Sequence, residues 1–284
     1  MTSAPNASPP LAGAALQLTG RDVLTVLHRT STNALADLAQ GSARPTLFCD
    51  FRGRLLHRAI VAHARDGSVW MLRDDAPGDL LAAFIDRSVF REDVRIEDRS
   101  AAMPMRLVRV PAELAPPGAV IEGGAGLSLV ALEAPFALAG DAAQPGVEPV
   151  TEAGRIAAGL PRHGHEIADA FTPYEVNLAH EVHLAKGCFT GQESLQRLVT
   201  YESIRRQLAR VSGQGAPPAV PADVIENGER AGVLTSAAAA ERGWTGLAVL
   251  RRDRFEARTG FAFADGGPLA IDEVFAMRRP LGRP

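Results

Sequence analysis

Lys186 and Cys188 stand two residues apart in the run Lys186-Gly187-Cys188-Phe189-Thr190-Gly191-Gln192-Glu193. A cation beside a thiol raises the thiolate fraction, and the thiolate is the form of cysteine that reacts or binds metal. Lys186 is also the only lysine in the chain; the other strongly basic residues are all arginine. The two side chains are not interchangeable, so a lysine kept against that bias points to a need for a compact ammonium. Cys188 and Lys186 are therefore the candidate catalytic residues. The alternative is an ordinary solvated lysine beside an inert, buried thiol.

The pair needs an element to hold it. Thr190-Gly191-Gln192-Glu193 fits the capping box S/T-x-x-E, which predicts a helix with Thr190 at its N-cap, Glu193 at N3, and Leu195, Leu198 and Val199 following. Cys188 would then precede a helix N-terminus, whose partial positive charge also favours thiolate. Gly187 and Gly191 would leave the backbone free to approach a ligand closely. The amides of Gly191 and its neighbours would suit a carboxylate or phosphate.

The flanking sequence reads as mixed α and β. Thr19-Gly20-Arg21-Asp22 opens a short helix with Val23, Leu24 and Leu27 on its apolar face. A second helix is expected over Asn33 to Gln40, stopping at Gly41. Arg54 to Ala64 alternates like a strand, and Asp66-Gly67 turns it back into Ser68 to Leu72. Pro77 to Phe90 reads as an amphipathic helix. Val94 to Glu97, Met105 to Val110 and Leu127 to Leu132 read as strands. Ala139 to Pro149 reads as a loop, and Val150 to Ala158 as a helix. A helix after Pro173 would cover Tyr174 to Val182. From Arg206 onward, short strands broken by Gly and Pro predict a small antiparallel barrel: Gln207 to Val211, Arg230 to Leu234, Leu247 to Leu250 and Ile271 to Ala276. The expected domains are a disordered tail over residues 1–15, an α+β region of two subdomains over 16–203, and the barrel over 204–284.

The chain has 284 residues, 46% hydrophobic, with a net charge of −3. That suits two compact domains and gives no broad demand for nucleic acid or an anionic membrane. Arginine pairs at Arg205-Arg206, Arg251-Arg252 and Arg278-Arg279 would make at most a local basic patch. Two distant cysteines are no disulfide framework, which favours a reducing compartment. No charged residue occurs among the first twenty, so neither a secretory nor a mitochondrial leader is read there, and no apolar run is long enough to span a bilayer. The expectation is a soluble cytoplasmic monomer with no membrane partner. No G-x-G-x-x-G, Walker loop or G-x-S-x-G occurs, so nucleotide binding by those motifs and serine hydrolysis lack support.

Lys186 to Glu193 resembles the signature K-G-C-[YF]-x-G-Q-E of the YgfZ-type folate-binding proteins, a branch of the superfamily that includes the glycine-cleavage T-protein, an aminomethyltransferase. Other blocks agree. Leu24-Thr25-Val26-Leu27-His28 with Ser31-Thr32-Asn33 resembles F-L-x-x-x-x-T-N, and Phe51-Arg52-Gly53-Arg54-Leu55-Leu56 resembles P-x-G-R-[VIL]-L. Arg155-Ile156-Ala157-Ala158-Gly159-Leu160-Pro161, Pro173-Tyr174-Glu175-Val176-Asn177-Leu178 and Gly232-Val233-Leu234-Thr235-Ser236 resemble three more, so the resemblance covers about residues 16 to 280. It implies an α+β fold: a ring of α/β subdomains around a central hole, followed by a small C-terminal antiparallel β-barrel. It implies tetrahydrofolate or a derivative as cofactor. The folate-binding residues it implies are Lys186, Gly187, Cys188, Gly191, Gln192, Glu193, Glu175 and Asn177. The family supports maturation or repair of iron–sulfur enzymes, making iron–sulfur client or assembly proteins the expected partners. One branch is linked to tRNA modification, which here has only the arginine pairs behind it.

Two departures separate this chain from the aminomethyltransferases. Where they carry paired aspartates, it has His57 and Arg58, so no carboxylate stands ready to work with the folate nitrogen. Where they carry R-[LI]-E-A-G, it has Ala157 at the glutamate. The leading reading is therefore a folate-binding accessory factor, with a folate-dependent one-carbon transferase and a tRNA-associated factor as alternatives. His180 and His183 lie three apart and His163 and His165 two apart, but neither spacing matches a metal class, and no metal is expected. A nucleophilic Cys188–His pair stays open, because such pairs form in space rather than in sequence. Cys49, in the apolar run Thr46 to Cys49, is expected to be core.

Overall fold

The computed structural model describes residues 13–111, 113–123, 126–140, 146–255, 260–264 and 267–282. It is mixed α+β. The chain runs through β1 (Ala14–Thr19), α1 (Val23–Thr30), β2 (Ser42–Cys49), β3 (Leu55–His63), β4 (Val69–Arg73), α2 (Asp79–Asp86), β5 (Arg95–Asp98) and β6 (Arg106–Arg109). It continues through β7 (Val120–Gly123), β8 (Gly126–Ala131), β9 (Phe136–Ala139), β10 (Glu148–Pro149), α3 (Glu152–Ala157) and α4 (Gln192–Thr200). Last come β11 (Arg206–Gly213), β12 (Ala222–Glu226), β13 (Glu229–Ala239), β14 (Trp244–Arg251), β15 (Phe261–Phe263) and β16 (Ala270–Val274). Among the described residues no helix is long and apolar enough to cross a membrane.

The described residues fall into two compact units. Unit one takes them from Met1–Val23, Ala39–Ala43 and Ile60–Glu148; unit two takes them from Leu24–Leu38, Arg44–Ala59 and Pro149–Pro284.

In unit one, β1 pairs antiparallel with β4 and β5, setting Leu16 opposite Met71 and Asp98. Inward residues such as Ala15, Ile60, Trp70, Leu72, Met105 and Leu138 form one core. The β3–β4 turn forms as its Asp-Gly sequence demands: Gly67 has φ +86°, and Asp66 Oδ1 accepts from the Ser68 amide at 2.8 Å.

In unit two a six-stranded antiparallel sheet has the order β15-β12-β13-β14-β11-β16. Register shifts at Arg210/Val211, Val224/Ile225 and Leu234/Ser236 interrupt its ladders. Bulges of this kind bend and twist strands, which curls the sheet into the expected barrel-like form. Its two faces serve two cores. Ala209, Trp244, Ala248 and Leu250 pack with Phe261. Leu208, Leu247 and Val249 join Phe171, Tyr174, Phe189 and Leu195. One core thus draws residues from before and after residue 203.

Several local expectations are corrected. The tail expected over 1–15 has residues 1–12 outside the described ones, but Ala14 and Ala15 are already buried in β1. Of the loop expected over Ala139 to Pro149, residues 141–145 lie outside the described ones. Asn33 to Gln40 is not helical. Its polar groups are satisfied otherwise: Asn33 Nδ2 donates to the Pro45 carbonyl, and the Leu35 and Ala36 amides donate to His28 Nδ1. Tyr174 to Val182 forms turns and a short 3₁₀ segment over Ala179–Glu181. Asn177, at φ +63°, breaks the helical path after Pro173. The helix expected over Pro77 to Phe90 shortens to α2.

Candidate functional site

The Lys186–Glu193 turn is built on glycine geometry. Gly191 has φ +84° and is the N-cap residue of α4, with no side-chain cap. The capping box expected at Thr190 and Glu193 is therefore absent: the helix begins later, Thr190 is exposed, and Glu193 pairs with Arg197 at 2.5 Å. The reason lies in the β2–β3 turn, Asp50 to Gly53. A Cβ at Gly191 would collide with the Asp50 carbonyl oxygen and lie 3.1 Å from Gly53 Cα. A Cβ at Gly53 would lie 2.9 Å from the Leu195 side chain. The two glycines let the hairpin and the motif turn touch backbone to backbone, so Gly191's close approach is to its own chain. Gly187, at φ +110°, faces open space. Gln192 fastens the turn by donating from Nε2 to the Leu184 carbonyl at 2.9 Å.

Lys186 and His28 lock together. The Lys186 ammonium donates to the His28 carbonyl oxygen. His28 Nε2 meets the Lys186 carbonyl at 3.0 Å, while Nδ1 accepts from the Leu35 amide at 3.0 Å and the Ala36 amide at 3.1 Å. With Nδ1 accepting two N–H bonds, the ring proton sits on Nε2 and donates to Lys186. The ammonium also lies 5.2 Å from the centre of the buried Phe189 ring, a cation–π contact. Burial without a carboxylate partner pushes the Lys186 amine down to about 8. Cys188, two residues on, is exposed, whereas Cys49 is buried and desolvation pushes its thiol up. His28 is the partner that sequence reasoning missed; its only signal was its place in the Leu24–His28 block.

The positions that replace the aspartates are occupied in their own way. Arg58 forks onto the fully buried Glu181, with Nε 3.0 Å from each carboxylate oxygen and Nη2 2.7 Å from Oε1. His57 stacks on His163 with ring centroids 5.6 Å apart and planes 13° from parallel. His180 Nε2 lies 3.8 Å from Glu181. No group of three or more His, Cys, Asp or Glu side chains among the described residues is arranged to hold a metal ion.

The other residues named from the sequence divide. Glu175 is nearly buried and accepts from the Thr172 amide at 2.8 Å, from Arg206 Nε at 2.7 Å and Nη2 at 3.1 Å, with Arg54 at 3.5 Å. Its carboxylate is thus committed to protein groups. Asn177 Oδ1 is buried and has no hydrogen-bond partner among the described residues, an acceptor open to a donor from elsewhere. The Arg155–Pro161 and Gly232–Ser236 blocks meet in a buried polar network. Arg155 pairs with Glu152 at 2.7 Å and Glu166 at 3.3 Å, and donates to Ser236 Oγ at 2.7 Å. Glu166 also accepts from Thr235 and Ser236. Every charge there is matched, as burial requires.

With this geometry in hand, comparison with known proteins adds the following. Residues 205–279 match the CAF17 C-terminal β-barrel domain family. A chloroplastic protein of Arabidopsis thaliana described as a transferase is 34% identical over 82 residues, 29% of this chain. The aminomethyltransferase of Staphylococcus carnosus is 32% identical over 106 residues, 36% of this chain. These stretches span 19% and 29% of the two relatives' lengths, well under two thirds of either. The crystal structure of glycine cleavage system aminomethyltransferase T from Bartonella henselae superposes with a TM-score of 0.69 over 93% of this chain and 83% of that one, at 14% identity. The chain has an aminomethyltransferase-like fold that ends in a CAF17-type β-barrel domain.

Proposed function

We propose that this protein is a folate-binding accessory factor that supports iron–sulfur protein maturation or repair, with the Lys186–Glu193 turn at the folate site. The observation that carries the reading is the half-buried Lys186 amine, two residues before the exposed Cys188 in an aminomethyltransferase-like fold. The residues present suit a reduced folate. Lys186 offers a cation for a carboxylate, Phe189 an aromatic wall and Asn177 Oδ1 an unmet acceptor for a pterin N–H. Tetrahydrofolate, when bound, supplies a secondary amine able to carry a one-carbon unit. The chain's own residues hold and orient it.

Aminomethyl transfer is not part of the proposal. General acid–base help typically contributes about a hundredfold or more, and Arg58 and His57 fill the places where the aminomethyltransferases carry aspartates. The buried carboxylate that meets Arg58, Glu181, is charge-paired by it. Ala157 removes a further polar contact, so folate affinity is expected to be modest.

The test is calorimetric titration of the full chain with tetrahydrofolate, repeated on Lys186→Met. Saturable heat that weakens in the variant is expected. No heat and no thermal shift at millimolar ligand rejects the folate site. Turnover of aminomethyl-loaded carrier protein at an ordinary enzyme rate rejects the accessory role in favour of a one-carbon transferase. Separately, Cys188→Ser is expected to fold normally and fail to sustain iron–sulfur enzyme activity in cells lacking the wild-type protein.

A further inference from the structure

Unit two contains a cleft of about 920 Å³ that shares only Glu175 with the residues the resemblance implies for folate. Its size falls in the range of ligand-holding clefts, roughly 300–1,000 Å³. Arginine dominates its wall. Arg52 and Arg54 come from the β2–β3 hairpin and Arg197 from α4. Arg205 and Arg206 come from just before and the first residue of β11, and Arg251 and Arg252 from the last residue of β14 and just after it. Against these seven cations, the wall carries two carboxylates, Glu175 and Asp253. The whole chain has a net charge of −3, so this concentration of positive charge is local.

The sheet itself creates the crowding. The β11–β14 register sets Arg206 directly opposite Arg251, and the Arg252 amide donates to the Arg205 carbonyl at 2.9 Å. Two arginine pairs far apart in sequence become one patch. Like charges directly opposed across strands are destabilising, and the protein only partly offsets this. Glu175 serves Arg54 and Arg206, Asp253 serves Arg251 and Glu193 serves Arg197. Arg52, Arg205 and Arg252 are exposed and, among the described residues, have no carboxylate partner. Guanidinium forks with free donors match phosphate oxygens two at a time.

Two exposed aromatic residues adjoin cleft residues along the chain. Phe51 is 70% exposed and Tyr201 74% exposed, in a chain only 5% aromatic. Phe51 adjoins Arg52, whose guanidinium lies 5.2 Å from the ring centre. Tyr201 lies between the cleft residues Leu198 and Ser203. A small polyphosphate or an acidic peptide engages the arginines and has no use for bare rings. Unpaired bases stack on such rings while arginines track the backbone.

From this arrangement we propose that the arginine cleft of unit two binds single-stranded nucleic acid, with Arg205 and Arg252 on phosphates and Tyr201 and Phe51 stacking bases. The proposal stands independently of the folate site.

The experiment is fluorescence anisotropy of a short labelled single-stranded RNA of mixed sequence, titrated with the full chain over a salt series. Saturable binding that weakens as salt rises is expected. The double variant Arg205→Gln/Arg252→Gln is expected to lose about tenfold or more in affinity. Its log–log salt slope should shrink by about 1 to 2, because the variant neutralises fewer phosphates and releases fewer counterions. Tyr201→Ala is expected to lose about fivefold or more, with a smaller change in salt slope. Lys186→Met is expected to bind RNA as the wild type does, which separates this site from the folate turn. All of these side chains are exposed or half-exposed, so thermal unfolding midpoints should hold. Absent binding, or binding indifferent to the arginine pair, overturns the proposal. So does displacement of the RNA by tripolyphosphate or polyglutamate at matched charge with Tyr201→Ala unaltered, which would make the cleft a general anion site. A preference for the RNA duplex overturns it as well.

Discussion

Two cationic regions of unit two use different side chains under opposite conditions. At the motif turn, one lysine is half-buried against Phe189 and the His28 carbonyl, and its amine is pushed down to about 8. At the cleft, seven arginines stand at the surface with two carboxylates among them. Arginine stays charged in any protein setting, whereas a desolvated lysine gives up its proton readily. The cleft is therefore a permanent charge, and the turn is a charge that can be withdrawn near neutral pH. Arginine thus supplies the persistent charge of the cleft, and the single lysine supplies at the turn a cation that burial makes readier to release its proton.

The sharpest break in reactivity should lie between the two thiols. Cys49 is fully buried in β2, so alkylating it requires unfolding, which for a domain of ordinary stability costs about 5 kcal/mol or more. Cys188 is exposed, two residues after Lys186. Peptide-resolved iodoacetamide labelling is expected to show Cys188 reacting on the order of a thousandfold faster. Comparable rates would mean that the turn is closed in solution or that β2 opens easily.

Next in size is Gly191→Ala. The substitution puts a side chain at φ +84° and drives a Cβ into the Asp50 carbonyl. A loss of about 3 kcal/mol is expected in denaturant unfolding. Gly187→Ala has the same kind of φ but open space, so it should cost about 1 kcal/mol. If the two variants prove equally stable, the hairpin does not press on the turn as described.

In the cleft, Glu175→Gln keeps the shape but removes the charge that Arg54 and Arg206 share. A destabilisation of about 1 to 2 kcal/mol is expected, with the Cys188 alkylation rate unchanged. A change in that rate would show that cleft and turn are coupled.

The sequence revealed these regions unequally. The turn was legible because its residues are contiguous, and the β3–β4 hairpin because Asp66-Gly67 needs only local geometry. The helix start was misread. Thr190 and Glu193 satisfy the capping pattern, yet packing against Gly53 forces Gly191 into the left-handed region, and that approach is long-range. The helix expected over Asn33 to Gln40 is absent for a similar reason: the segment is held by partners outside it, the Leu35 and Ala36 amides on His28 Nδ1 and Asn33 Nδ2 on the Pro45 carbonyl. The cleft was invisible except as scattered arginine pairs. Nothing in the spacing of Arg205-Arg206 and Arg251-Arg252 states that Arg206 will face Arg251; only the β11–β14 register does.

The smallest effect is the most direct test of the contrast. A Lys186 amine near 8 should acylate with a rate that rises about tenfold between about pH 7 and pH 9 and then levels off, because the free-amine fraction saturates. A solvated lysine near the usual 10.4 would rise about a hundredfold over the same span and keep climbing. Stability carries the same signature. The folded amine releases its proton near 8 and the unfolded one near 10.5, so between those values the unfolded state binds more protons and stability rises with pH. Below about 8 both forms are protonated and the desolvation cost is present in full. Lys186→Gln is therefore expected to be at least as stable as the wild type near pH 7, with the gap closing as the pH passes through 8 towards 10.5. The acylation profile and the pH dependence of denaturant unfolding measure this independently. A climbing acylation rate together with a flat stability difference would return Lys186 to the class of ordinary surface lysines. It would then leave Cys188 without the neighbour on which its proposed role depends.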